Sequence, residues 1–229
     1  MILFLDKMDF IKIYKQDTSF GYYFREILKK EYKYRYNNTN IPIYKIYENN
    51  LKEFTSEEKY LILSLVKSFT NKQNWFFFKF NRRIDKGMPF TLSNYIFLPD
   101  DITSYNHHDI RDILIHEQVH IHQHNNIVNY NEFYRKCGFD KINEEMKVFL
   151  KNKFNILTNP DSLDIYIYKK KYIPLIIITG NSHETSLYDV ETSQFVSIDL
   201  FKKIFHIQDN LSSPHEIFAE LFVQKYNNI

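Results

Sequence analysis

The stretch His116-Glu117-Gln118-Val119-His120 carries the residue types and the spacing that chemistry needs. On an α-helix, residues i and i+4 lie one turn apart on the same face, so His116 and His120 can offer two imidazoles to one metal ion. Glu117, between them, can reach a water on that ion. Two ligands and a general base from one helical turn are what hydrolysis by a metal-activated water requires. Ile113, Leu114 and Ile115 run into the motif and give its helix an apolar anchor.

Two histidines do not complete a catalytic zinc site, which takes three protein ligands and leaves one position for water. His122 and His124 are near in sequence and wrong in geometry. His122 follows His120 by two residues and points to the opposite side of a helix. His124 lies about 12 Å along the axis from His116 at 1.5 Å per residue. Both are expected at the surface. The remaining offers are Glu216 and Glu220 in Ser213-Pro214-His215-Glu216-Ile217-Phe218-Ala219-Glu220, a carboxylate pair one turn apart. One carboxylate would bind the metal, and the other would accept the second N–H of a ligating histidine and fix its tautomer. Ser213-x-x-Glu216 is also a capping box with Pro214 at the first helical position, a role that needs no metal.

The elements that must hold these residues follow from periodicity. Residues 1–14 alternate weakly and suggest a strand. Phe20, Tyr23, Phe24, Ile27 and Leu28 recur at helical spacing over Thr18–Tyr36, and Ile41–Tyr47 alternates as a strand does. Thr55-Ser56-Glu57-Glu58 is a capping box opening a helix through Phe69. Trp75–Phe80 suits a buried strand, and Pro89–Pro99 alternates as one more. Asn106 caps a helix carrying the histidines to about His124. Further helices are expected at Val128–Lys136, ended by Gly138, at Asn143–Asn152, and from Ser213 onward. Asn159-Pro160-Asp161-Ser162 is a turn signal. Asp164–Tyr168 and Tyr172–Thr179 suggest strands joined by Lys169-Lys170-Lys171, with a loop at Gly180-Asn181-Ser182. The architecture expected is α+β in a single domain over 1–229, with residues 1–74 as an N-terminal helical and strand portion and 75–229 as the metal-bearing portion.

Composition bounds the rest. Of 229 residues, 44% are hydrophobic and 17% aromatic, enough for a packed core. The formal net charge of +2, with Lys and Arg spread along the chain, gives no case for nucleic acid. The single cysteine, Cys137, excludes an intramolecular disulfide and a thiolate zinc site. No apolar run approaches a membrane span. Met1–Leu5 is too short for a signal peptide and is interrupted by Asp6 and Lys7, so a cytoplasmic location is expected. Ile, Asn, Lys, Tyr and Phe are abundant and Ala is scarce, as in proteins of AT-rich genomes.

His116-Glu117-x-x-His120 with a downstream Glu216-x-x-x-Glu220 resembles the gluzincin group of zinc peptidases, the thermolysin-like arrangement. Met88-Pro89-Phe90-Thr91, Asn159-Pro160-Asp161 and Pro214-His215-Glu216-Ile217-Phe218-Ala219-Glu220 extend the likeness, over roughly residues 75–225, to zinc-peptidase-like proteins encoded by giant DNA viruses. Such an origin would place the protein in host cytoplasm or virion. The resemblance implies a zincin-like fold, with a small sheet whose edge strand packs on the H-E-x-x-H helix and a C-terminal helix bearing the glutamates. It makes Glu216 the third ligand of one Zn2+ and Glu220 the partner of a zinc histidine.

The expected function is hydrolysis of peptide bonds in a peptide or protein substrate. Zinc on His116, His120 and Glu216 would acidify a water, and Glu117 would accept its proton and pass it to the leaving amine. The Pro89–Pro99 strand, with Thr91, Ser93 and Asn94, would align an extended substrate by main-chain hydrogen bonds. His183, in the loop after the Ile-rich strand, and Tyr188 are candidates to stabilise the oxyanion. Two rivals fit the same residues: a non-catalytic protein of this fold acting as a viral structural or host-interaction component, and a zinc hydrolase of a non-peptide amide.

Overall fold

The computed structural model of the chain describes residues 1–27, 29–36, 41–67, 69, 74–180, 182–207 and 211–227. Leu28 and Asn181, part of the helix and loop expected above, lie outside the described residues. The chain is α+β and divides into two compact units, Met1–Ile121 and His122–Ile229.

The first unit opens with strand β1 (Ile2–Phe4) and helices α1 (Lys7–Gln16), α2 (Thr18–Glu26), α3 (Lys29–Tyr36) and α4 (Ile43–Asn50). Strand β2 (Leu51–Lys52), helix α5 (Ser56–Lys67) and strands β3 (Trp75–Phe80), β4 (Phe90–Leu92) and β5 (Tyr95–Pro99) follow. Helix α6 (His107–Asn125) then carries the chain across the boundary into the second unit.

The strands form one sheet in the order β1-β3-β5-β4, with β2 beside β1 along the same side of β3. Register sorts its side chains into two faces. Trp75, Phe77, Ile96 and Leu98 point one way and pack with Ile62 and Val66 of α5 and Ile110, Leu114 and Ile121 of α6. Phe78, Phe80, Phe90 and Phe97 point the other way, against Phe10 of α1, Phe20 of α2 and Tyr47 of α4. Residues 1–74 therefore supply two strands and most of the helical cover of this sheet. The chain has no boundary at 74, because β3 after it is paired with β1 and β2 before it.

Several expectations are corrected here. Ile41–Tyr47 is not a strand. Pro42 stands at the N-cap of α4, its carbonyl accepts from the N–H of Lys45 and Ile46, and Ile43, Ile46 and Tyr47 are buried at i, i+3 and i+4. Residues 1–14 are a short strand followed by α1, which Asp6 starts with a capping box to Asp9. The Thr18–Tyr36 helix is two, broken where Ile27 takes extended backbone angles at the end of α2. Pro89–Pro99 is a hairpin of β4 and β5, turned at Ser93 and Asn94 with Ser93 at φ 58°. The box at Thr55 forms as expected: Thr55 Oγ1 accepts from Glu58 N–H at 3.2 Å, and Glu58 Oε2 from Thr55 N–H at 2.7 Å. Lys79, on the same face of the sheet, closes a buried ion pair with Glu58 at 2.7 Å.

In the second unit, helix α7 (Ile127–Lys136) ends at Gly138, whose φ of 93° suits a residue without Cβ. Strand β6 (Phe139–Lys141), helix α8 (Glu144–Lys153) and strands β7 (Tyr166–Tyr168), β8 (Tyr172–Thr179), β9 (Ser182–Asp189) and β10 (Gln194–Ser197) come next, then helices α9 (Asp199–Phe205) and α10 (Pro214–Asn227). The five strands make an antiparallel meander in the order β10-β9-β8-β7-β6. Tyr166, Tyr168 and Leu187 on one face pack with Tyr134 of α7, Phe201 of α9 and Ile217 of α10. Ile173, Leu175 and Tyr188 pack on the other with Leu150 of α8. Strands β9 and β10 and helix α9 are elements the sequence reading did not anticipate. Among the described residues no helix is long and apolar enough to cross a membrane.

Candidate metal centre

Helix α6 positions the motif through its core-facing residues. Ile110, Leu114 and Ile121 recur along one side and fix that side to the sheet. Glu117 lies three residues after Leu114 and four before Ile121, so it falls on the edge of this packed side and is only 4% exposed. His116 and His120 lie roughly 60° to 100° further round the helix, as its period dictates. Their rings stand 4.7 Å apart, centroid to centroid, with planes at 76°. His120 is buried and His116 half-buried.

The sheet supplies a partner to Glu117. Thr91 of β4 is opposite Ile96 of β5 and shares its face toward α6. The Thr91 hydroxyl lies 2.8 Å from Glu117 Oε2 and 3.0 Å from the Glu117 carbonyl. The donor is therefore shared between two acceptors of one residue. A carboxylate withdrawn from water needs such a partner, since a buried charge without hydrogen bonds is costly. The Thr91 hydroxyl is thus turned inward to Glu117 and not outward, and Thr91 is 3% exposed. Strand β4 is the edge of the sheet, with β5 as its neighbour. Ser93 Oγ donates to Asp17 Oδ2 at 3.3 Å, and Asn94 is half-buried beside it in the turn.

In the second unit, Glu216 sits in the first turn of α10. Its backbone N–H donates to Ser213 Oγ at 3.3 Å, the cap anticipated from Ser213-x-x-Glu216. Its Oε1 accepts from Asn159 Nδ2 at 2.8 Å. The amide of Asn159 is itself held, because Oδ1 accepts from the Asp161 backbone N–H at 3.0 Å. Helix α10 is also tied to the last turn of α6: Gln123 Nε2 donates to the His215 carbonyl at 3.0 Å. Gln123 is wholly buried.

His215, next to Glu216, has a proton order that can be deduced. The Tyr166 hydroxyl donates its one proton to Asn131 Oδ1 at 2.9 Å. Toward His215 Nε2, 3.1 Å away, it must therefore accept, which puts the imidazole proton on Nε2. Nδ1 lies 3.4 Å from the Tyr134 hydroxyl. Burial pushes both phenols far above their ordinary range, with a smaller contribution to Tyr134 from its neighbours, Glu216 among them. A cavity of about 40 Å³ reaches Asn159 and Ser213 and is lined further by Leu157, Thr158 and Leu175.

The other expected residues fall elsewhere. Glu220 Oε1 accepts from Gln224 Nε2, one turn on, at 3.0 Å. His183 is exposed and lies in strand β9, opposite Ile178, where a loop was expected. Tyr188 is a core residue packed on Phe154 and Phe195, and its hydroxyl accepts from Lys153 Nζ at 3.1 Å. His122 and His124 are exposed as expected, His122 with Tyr130 at 2.9 Å. Sequence reasoning missed Asn159, Gln123 and His215. Asn159 was legible as a turn residue, and nothing in its local pattern shows which side chain the turn would serve.

Comparison of the chain with protein-family models, with curated proteins and with solved structures finds no match.

Proposed function

We propose that His116, His120 and Glu216 hold one divalent metal ion and that the protein is a zinc-dependent hydrolase of peptide bonds. The proposal draws two imidazoles from α6 and a carboxylate from the first turn of α10. The tie between Gln123 and the His215 carbonyl supports it, since Gln123 follows His120 by three residues on α6 and His215 precedes Glu216. Two imidazoles and a carboxylate suit zinc and also ferrous iron. Glu117 turns the reading toward hydrolysis: a carboxylate that is 4% exposed, beside the histidine pair, held by Thr91. That is the observation which carries the proposal.

A divalent ion, when bound, acidifies a water and polarises a carbonyl. Glu117 takes the proton of the attacking water and returns it to the leaving amine. The hydrogen bond from Thr91 to Oε2 fixes the direction of the Glu117 carboxylate. The edge of β4 takes an extended substrate by main-chain pairing, its backbone doing what the inward-turned Thr91 side chain does not.

The test pairs metal content with turnover. Elemental analysis should find one zinc per chain, retained in Glu117→Gln and lost in Glu216→Gln. Cleavage of a peptide pool by Glu117→Gln should fall by roughly 10²–10⁴-fold, the range of general-base contributions. A wild-type protein that takes up no zinc, or that takes up iron in its place, would sink the reading. Zinc at full occupancy with no turnover of any peptide would favour a non-catalytic protein of this architecture.

A further inference from the structure

We infer that the cavity beside Glu216 takes a substrate side chain that is short, uncharged and oxygen-bearing: serine, threonine or asparagine. Calling the occupant a substrate rests on the proposed hydrolase reading; the cavity itself does not. It lies wholly within the second unit, between residues 156–165, residues 174–176 of β8 and residues 212–213. Two of its wall residues reach Glu216. Ser213 Oγ accepts from the Glu216 backbone N–H at 3.3 Å, and Asn159 Nδ2 donates to Glu216 Oε1 at 2.8 Å. A side chain seated there therefore lies next to the proposed ligand.

The walls are fixed by the protein's own hydrogen bonds. The Leu157 N–H donates to the Ile176 carbonyl at 2.9 Å and the Ile178 N–H to the Asn155 carbonyl at 2.8 Å, which laces the loop to β8. Asn159 Oδ1 and Ser162 Oγ each accept from the backbone N–H two residues on, at 3.0 and 3.3 Å. Ligand pockets are usually formed in advance in this way. Size sets the first limit on the occupant. A volume of about 40 Å³ admits roughly three waters, or a side chain of about three or four heavy atoms. Chemistry sets the second. Leu157 and Leu175 give an apolar wall, and Ser162 and Ser213 bring hydroxyls. Each hydroxyl accepts a backbone N–H and so keeps its own proton to give. Among the described residues neither has a second hydrogen-bond partner. An occupant that offers an oxygen suits them. The charges in the wall are engaged already: Asp164 pairs with Lys141 at 2.7 Å, and Lys151 is not free either. They call for no opposite charge from the occupant.

The test reads the cavity directly and needs no turnover. Methyl-labelled protein would be titrated with the N-acetyl amides of threonine, valine, aspartate and phenylalanine, following the Leu157 and Leu175 methyls by NMR. Threonine and valine share a shape and differ in the oxygen. The threonine amide is expected to bind roughly 2–10-fold more tightly than the valine amide, the worth of one ordinary hydrogen bond, and the phenylalanine amide not at all. Ser162→Ala should narrow the gap between threonine and valine, with circular dichroism unchanged. In parallel, the zinc-loaded protein would digest a peptide pool, and its cleavage sites should be flanked by Ser, Thr or Asn. Silent methyls, equal binding of threonine and valine, or a preference for aspartate or phenylalanine would overturn the inference. Methyls that respond as expected beside an uncut pool would keep the pocket and its ligand class and remove the hydrolase reading. A cut pool beside silent methyls would do the reverse.

Discussion

Glu117 and Thr91 show how one hydroxyl can make a buried carboxylate tolerable. Thr91→Val keeps the shape of the side chain and removes the donor, leaving Glu117 Oε2 and the Glu117 carbonyl without it. Such a loss costs about 1–3 kcal/mol for a buried polar group, more when it is charged. Thr91→Val should therefore lower the denaturant midpoint with an unchanged slope, and the destabilisation should shrink in a Glu117→Gln background. A double-mutant cycle isolates the side-chain part, because the contact to the Glu117 carbonyl is present on both sides of it. Equal losses in both backgrounds would show that only the carbonyl contact matters. The spacing of His116, Glu117 and His120 was legible from sequence because one helical turn fixes it. Thr91 was legible as a residue of the strand near the site. That its side chain turns to Glu117 was not, because it follows from the register of β4 on β5.

At the scale of elements, the sequence was most legible where a cap and a long period agree. The Thr55 box, the Asn106 cap with its 2.9 Å contact to the Asp109 N–H, and the Ser213 cap all formed as read. Short apolar runs were ambiguous for a physical reason. Ile43, Ile46 and Tyr47 fit a strand over seven residues and a helix once Glu48 and Asn50 are included, and the aromatic sheet face decides for the helix. In Pro89–Pro99 the alternation outweighed Ser93-Asn94, although those two residues are the turn signal. Strands β9 and β10 went unread because exposed polar strands such as Ser182–Thr185 bury little that a pattern could show. The Ser213 cap invites a test at this scale. Ser213→Ala should destabilise the protein by about 1 kcal/mol, the usual loss for a cap of this kind. Zinc affinity should fall less in Ser213→Ala than in Glu216→Gln, since the proposed ligand itself remains. A fall as large as in Glu216→Gln would show that the start of α10, more than its carboxylate, makes the site.

For the whole molecule, the sequence reading took residues 1–74 as an N-terminal portion of a single domain, and β1 and β2 of that portion pair with β3 beyond it. What the two units share is a core rich in buried phenols. In the first, Tyr23, Tyr36 and Tyr47 gather around Asp85, with Arg35 paired to Asp85 at 2.6 Å and to Glu31 at 3.1 Å. In the second, Tyr134 and Tyr166 flank His215. Burial raises the pKa of all five hydroxyls above the ordinary tyrosine value. Unfolded, each would ionise near pH 10. Above that pH the unfolded chain binds fewer protons than the folded one, so stability falls as pH rises, by up to about 1.4 kcal/mol per pH unit for each phenol. Tyr188 has the opposite sign. Hydrogen bonds first from Ser193 and then from Lys153 lower its pKa, so it ionises within the folded protein and loses nothing as pH rises. Alkaline titration followed at the phenolate absorbance should therefore show an early phase that Tyr188→Phe removes. A later, steep phase should coincide with loss of circular dichroism, when both units release their buried tyrosines. A single gradual titration of all 18 tyrosines, with the fold intact, would contradict this account. Loss of only one unit's dichroism in the steep phase would show that the buried phenols destabilise that unit first.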